Sequence, residues 1–222
     1  MNVKFRGVAF PHFSDIQYVQ RAGTKKFHKE QKQFPAVCSL HGPFDMGLIH
    51  FPKPVLLFMA VFSSMESAFD WVRKRAEAQW GALALESEPF PFESFTDYYA
   101  PTMGTTLPKR LWAFENPIQP DLLPKVKCLT NDWEAEFTSI TTSPVERPLN
   151  IDPGYVDLGK LILASTKDHA HRIYLSDGIF AETTLIYTQK QWKPLPWSYA
   201  DYKSAGYQEF LTQCREYLKA KR

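Results

Sequence analysis

The chain has 222 residues, 44% of them apolar and 23% charged, with a formal net charge of +2. That is apolar material for one main domain of about 150 to 200 residues plus an appendage, and the longest apolar run, residues 55–62, falls far short of the roughly 20 residues that cross a bilayer. Cys38, Cys128 and Cys214 are scattered, without the CxxC spacing of a zinc site or the even framework of a secreted mini-protein, and read as reduced thiols of a soluble cytoplasmic protein.

Charge divides unevenly along the chain. Residues 1–50 hold seven Lys and Arg against three acids, an excess of +4 that leaves −2 for the remainder, and they also hold four of the six histidines. Residues 1–45 lack a hydrophobic period and are expected to be a basic, poorly ordered extension. A nucleic-acid arm is one reading of such a stretch and a dispensable extension is the other, with Met46 a start just ahead of the first strand. No apolar run and small-residue cleavage site follow the charges, so a secretory signal is not expected.

From residue 46 a single α/β (α+β) domain is expected. Residues 55–62, wholly apolar between Pro54 and Ser63, read as a buried strand. Ser63 and Glu66 have the spacing of a capping box, and Met65, Phe69, Val72, Ala76 and Trp80 recur at helical spacing until Gly81. Residues 82–88 form a plausible second strand and residues 109–115 a third, with Leu111 and Ala113 opposing Trp112 and Phe114. Asp121 can cap a helix that presents Leu122, Val126, Leu129, Trp133 and Phe137 on one face. Residues 148–151 supply a fourth strand. The order β-α-β-β-α-β predicts a ferredoxin-like split βαβ core.

The C-terminal third extends that core. Residues 161–165 read as a strand, and residues 172–176 and 179–187 flank Asp177-Gly178, a strong signal for a tight hairpin. Ser204 can cap a last helix with Tyr207, Phe210, Leu211, Cys214, Tyr217 and Leu218 inward. Lys219, Lys221 and Arg222 sit at its negative end. The excursion of residues 89–108, rich in Phe and Tyr, is too long for an idle connection in a compact domain.

Three blocks carry most of the chemistry: Asn150-Ile151-Asp152-Pro153-Gly154-Tyr155, residues 167–182, and residues 195–202, all read as turn segments where a scaffold presents binding groups. Asp152 and His171 are the candidate polar, catalytic centre. Lys167 and Arg172 are assigned to an anion, Tyr155 and Trp197 to walls, and Asp97 and Glu182 to further ligand contacts. Lys109, Arg110, Tyr98, Tyr99 and Tyr174 belong to the same constellation, and Gly154 allows close backbone approach or a positive φ. Each residue also has a plainer reading: Asp97 and Asp152 can fix turns, the aromatics can be core, and Lys109-Arg110 can open an exposed strand. His169 and His171 would share a face on an extended stretch, but no third metal ligand is fixed by spacing, so no metal is assigned. The cofactor, if there is one, stays open.

Phe95-Thr96-Asp97-Tyr98-Tyr99, Met103-Gly104, the 150–155 block, His171-Arg172-Ile173-Tyr174-Leu175, Asp177-Gly178-Ile179, Ala181-Glu182-Thr183, Leu195-Pro196-Trp197 and Tyr199-Ala200-Asp201-Tyr202 together resemble the uncharacterised prokaryotic family filed as domain of unknown function 4416, over about residues 53–219. The chain departs from that family's pattern at Thr102, where an acidic residue usually precedes Met-Gly. Some members carry the label GTP-binding protein. Gly154 to Lys160 has the outline G-x-x-x-x-G-K, yet Leu161 stands where a Ser or Thr would bind magnesium and bulky Tyr155, Val156 and Leu158 fill the interval, so the match is read as accidental. The residues point instead to a protein that binds, and in a stronger form processes, an anionic small molecule such as a nucleotide or phosphometabolite. The alternatives are an RNA-binding module, not favoured because the domain proper carries −2, and a non-catalytic protein-interaction module.

Overall fold

The structure, a computed structural model, describes residues 48–222. The expected basic extension of residues 1–45 lies outside the described residues. Strand β1 (Leu56–Phe62) leads into helix α1 (Glu66–Trp80), then β2 (Leu83–Glu86), the short β3 (Phe90–Pro91), a single-turn helix α2 (Ala100–Met103) and β4 (Pro108–Phe114). Helix α3 (Leu123–Ile140) returns the chain to β5 (Asn150–Asp157), which is followed by β6 (Lys160–Ser165), β7 (Ile173–Ser176), β8 (Ile179–Thr188), β9 (Gln191–Pro194) and helix α4 (Ala205–Lys221). This is an α+β arrangement around one large antiparallel sheet ordered β2-β4-β1-β5-β6-β8-β7, with β3 also on β4 and β9 also on β8. Among the described residues no helix is long and apolar enough to cross a membrane.

β1 is apolar throughout because both of its faces are covered. Leu57, Met59 and Val61 pack with Phe69 and Val72 of α1 and with Trp133 and Phe137 of α3. Leu56, Phe58 and Ala60 face the other way, into Tyr207, Phe210, Leu211, Cys214 and Leu218 of α4. Period 2 in the strand and period 3.6 in the helices thus meet in two layers, and each fully buried large side chain contributes about 1.5–3 kcal/mol. Leu111 and Ala113 of β4 likewise oppose Trp112 and Phe114 across the sheet.

Several local expectations change in detail. Ser63 Oγ accepts the N–H of Met65 at 2.9 Å and donates to the Pro148 carbonyl at 2.5 Å, but no capping box closes, because Glu66 ion-pairs with Arg110 at 2.6 Å. Asp121 caps nothing. It lies inside the 3-10 turn Pro120–Leu122, whose geometry carries directly into α3. Ser204 occupies the N-cap position of α4 without a side-chain cap bond. The excursion of residues 89–108 folds on itself as β3, the 3-10 turn Phe92–Ser94 and α2, tied by the hydrogen bonds of Phe92 N to Leu107 O and of Leu107 N to Glu93 Oε2, both 3.1 Å. Asp177-Gly178 makes the expected tight turn, with φ of 54° and 75°.

The largest correction concerns residues 150–155. They are not a turn but the first part of β5, a central strand paired with β1 from Leu56↔Val156 to Phe62↔Asn150. Pairing of β5 with β6 begins only at Gly154↔Leu163, while Ala164 and Ser165 pair with β8 alone. The sheet therefore forks between β5 and β6. Pro153 has no N–H to offer β6 there. The outward groups of Ile151 are taken over by α3: its N–H donates to Glu134 Oε1 at 2.8 Å, and Lys127 Nζ donates to its carbonyl at 2.8 Å. At the crotch of the fork the backbones come so close that a Cβ on Gly154 would lie 2.3 Å from the Ile162 carbonyl oxygen. The glycine meets the expectation of close approach.

Candidate functional site

The fork opens into a cavity of about 440 Å³. Asn150 and Asp152 of β5, Leu163 of β6 and Glu182 of β8 form one wall, and Lys127 and Asn131 of α3 reach it at the fork. Phe92, Phe95, Tyr98 and Tyr99 of the folded excursion close a second side, and residues 199–202 a third. Residues distant in sequence converge because the starts of β4 and β5 and the end of β6 meet here. The volume lies in the range that small-molecule sites span, and the lining combines aromatic rings with many charged and polar groups.

Four of the eight residues singled out by sequence line this cavity: Asp152, Lys167, Arg172 and Glu182. Four of the five N–H donors of Arg172 are taken by the protein. Its Nε donates to Glu182 Oε2 at 2.8 Å, Nη1 to Ser165 Oγ at 2.7 Å and to the Lys167 carbonyl at 3.0 Å, and Nη2 to Tyr199 Oη at 3.3 Å. It holds the 165–172 loop, β8 and the Tyr199 loop in register. Arg172→Ala is accordingly expected to lower folding stability by about 2 kcal/mol, a moderate loss because His171 and Thr184 still approach Glu182. Chemical denaturation measures it.

The other four lie elsewhere. His171 does not line the cavity; its Nε2 sits 3.2 Å from Glu182 Oε2 and its ring stacks on Trp197 with centroids 5.0 Å apart. Trp197 is a wall for His171 rather than for the cavity, and its Nε1 donates to the Thr183 carbonyl at 2.9 Å. Tyr155 points to the opposite face of the sheet, because it is odd-numbered on a strand whose even positions face the cavity. Asp97 lines a separate hollow of about 50 Å³. His169 and His171 do share a side, with parallel rings 5.7 Å apart. Among the described residues no three His, Cys, Asp or Glu side chains gather to hold a metal ion.

Two cations of the cavity, Lys127 and Arg147, escape a reading based on exposed blocks, whereas Lys109, expected in the constellation, lines the cavity as a buried group. Lys109 Nζ pairs with Asp201 Oδ2 at 2.7 Å, both side chains buried, with the Phe92 ring 4.2 Å from the ammonium. Lys127 is buried on α3 and lies 3.7 Å from Asp152 and 4.0 Å from Glu134. Arg147 pairs with Glu134 at 2.8 Å and also donates to Asn150 Oδ1. The available signal for Lys127 was its position: it recurs with Leu123, Val126, Thr130, Trp133 and Phe137 on the inward face, where a lysine needs a partner. Asp201 and Tyr202 stood in a noted block, but nothing local ties them to Lys109.

Burial sets the protonation pattern. It pushes the Glu134 carboxyl above its ordinary value, and Lys127 and Arg147 pull it back in part. The Tyr99 and Tyr202 hydroxyls are raised by burial first and by the charges of Asp152 and Asp201 respectively second, so both remain neutral donors at physiological pH. Of the five cations lining the cavity, Lys109, Lys127, Arg147 and Arg172 each have a carboxylate within 4 Å. Lys167 has none among the described residues; it is exposed, with its Nζ 5.5 Å from the Tyr98 ring centroid.

Gly154 to Lys160 runs along β5 and through its turn into β6, with no helix following, unlike a phosphate-binding loop. Comparison with curated proteins and with solved structures gives no match. The sequence of residues 53–217, well over half the chain, matches the model of the family described as "Domain of unknown function (DUF4416)", and the protein belongs to that family.

Proposed function

We propose that this protein binds an anionic small molecule, of the nucleotide or phosphometabolite class, in the cavity at the strand fork. The observation that carries the reading is the charge of the cavity of about 440 Å³: of its five lining cations, four are matched by Asp152, Glu182, Asp201 and the neighbouring Glu134, which leaves Lys167 over. Lys167 supplies a positive charge that no carboxylate among the described residues neutralises. Asp152, partly exposed and only loosely paired with Lys127, supplies an acceptor for a ligand hydroxyl or, if chemistry follows, a base. The reading includes a ferredoxin-like core, supported by the order β2-β4-β1-β5 with α1 and α3 as the two crossovers on one face, and a cytoplasmic setting, supported by the free thiols of Cys128 and Cys214. Against an RNA platform stands α4, which covers the sheet face that bases would need.

A panel of nucleotides and phosphorylated metabolites tested by thermal shift is expected to contain compounds that raise the melting temperature of the full chain, since a ligand that prefers the native state stabilises it. Asp152→Asn and Lys167→Ala are expected to abolish that rise while leaving the unliganded melting temperature within about 2 °C, because neither residue carries a tight ion pair. Loss of stability in both variants with an undiminished ligand response would make these residues structural and overturn the assignment.

A further inference from the structure

We infer that the ligand is a phosphorylated polyhydroxyl compound, seated with its hydroxyl-bearing end inward at the strand fork and its phosphate at the mouth beside Lys167; the inference rests on the anion-site reading above. The cavity has two ends of different electrostatic character. At the inner end every cation is already matched: Lys109 with Asp201, Arg172 with Glu182, Arg147 with Glu134, and Lys127 with Asp152. A phosphate placed there would lose its hydration and meet carboxylates, with no positive charge left over to offset the loss. At the outer end stand exposed Lys167 and the exposed rings of Tyr98 and Tyr199. A lysine there acts as a point charge for a phosphate that remains partly hydrated.

The inner end carries hydrogen-bonding capacity that the protein does not use. Asn150 is 2% exposed, and its Oδ1 is taken by Arg147, which leaves Nδ2 as a donor without a partner among the described residues. Tyr202 is also 2% exposed and its hydroxyl has no partner among the described residues. Both residues line the cavity together with Asp152, an acceptor. A native fold rarely leaves two such buried groups unsatisfied in one cavity. Two neutral donors beside a carboxylate acceptor suit vicinal hydroxyls, each of which donates and accepts; they do not suit a phosphate, which only accepts from them and is repelled by Asp152. Sugar phosphates and ribonucleotides share this chemistry.

Isothermal titration of the full chain with ribose 5-phosphate, ribose, pentyl phosphate, adenosine 5′-monophosphate and its 2′,3′-dideoxy form tests the inference and separates the two sources. Ribose 5-phosphate or the nucleotide is expected to bind at least tenfold more tightly than its partner lacking hydroxyls. Tyr202→Phe removes only an unpartnered hydroxyl and is expected to weaken the hydroxylated ligand about tenfold while leaving pentyl phosphate unchanged. Lys167→Ala is expected to weaken every phosphate-bearing ligand about tenfold and ribose not at all. Tighter binding of ribose 5-phosphate than of the nucleotide assigns the sugar-phosphate class, and the reverse assigns nucleotides. Equal binding of hydroxylated and hydroxyl-free phosphates overturns this inference but leaves the anion site standing, as does weakening of pentyl phosphate by Tyr202→Phe. Failure of all the phosphates to bind overturns both.

Discussion

Lys109→Met is expected to cost about 4 kcal/mol of folding stability, because it leaves Asp201 buried with no counter-charge. The pair joins β4 to the 3-10 turn Asp201–Lys203 across 92 residues of sequence, and both side chains are at most 3% exposed. Two unlike charges in such surroundings are each costly to desolvate, and their mutual attraction with the rings of Phe62, Phe92 and Tyr202 around the ammonium offsets that cost. Removing one partner keeps the desolvation cost of the other. Lys109→Met combined with Asp201→Leu is therefore expected to recover most of the loss. Recovery stays incomplete because the Tyr202 N–H, which donates to Asp201 Oδ1 at 3.0 Å, loses its acceptor. Urea unfolding of the two single variants and the double variant gives the coupling directly. A single-variant loss below about 1 kcal/mol would show that water reaches Asp201 and that the floor of the cavity is wetter than described.

Gly154→Ala is expected to cost about 3 kcal/mol, the upper part of the range for overpacking, because the obstacle is backbone. The added Cβ would sit 2.3 Å from the Ile162 carbonyl oxygen and 2.7 Å from Leu163 Cδ2, so β5 and β6 would have to part where the fork begins. Gly159→Ala in the neighbouring turn is the control. Nothing lies within 4 Å of its Cβ position, and the change is expected to stay within about 0.5 kcal/mol. Denaturant midpoints of the two variants, compared at equal slope, decide the point. A loss at Gly154 no greater than at Gly159 would mean that the strands separate freely, and the cavity walls would lose their rigid hinge.

Local sequence carried the elements whose pattern matches one environment. β1 was legible from an unbroken apolar run, α1 from helical spacing ended by Gly81, the β7–β8 hairpin from Asp177-Gly178, and α4 from its inward face of Tyr207, Phe210, Leu211, Cys214 and Leu218. Asp152, Lys167, Arg172 and Glu182, which line one cavity, stood out in the sequence as charged groups crowded into short blocks near strand ends. The extent of β5 was not. Asp152-Pro153-Gly154 reads locally as a turn, and only two flanking strands and α3, which satisfy the backbone on either side of Pro153, make it a sheet strand.

The amino-acid sequence by itself determined family membership, the alternation of helices and strands, and the segments where polar groups concentrate, because each is written in local spacing and composition. Tertiary structure alone decided which of those groups share a cavity. Strand parity sent Tyr155 to the far face, stacking and Glu182 drew His171 behind the wall, and long-range pairing brought Lys109 to Asp201 and Lys127 to Asp152. Such pairings depend on sheet order and register, which bring together residues dozens of positions apart and leave no periodic mark on the chain.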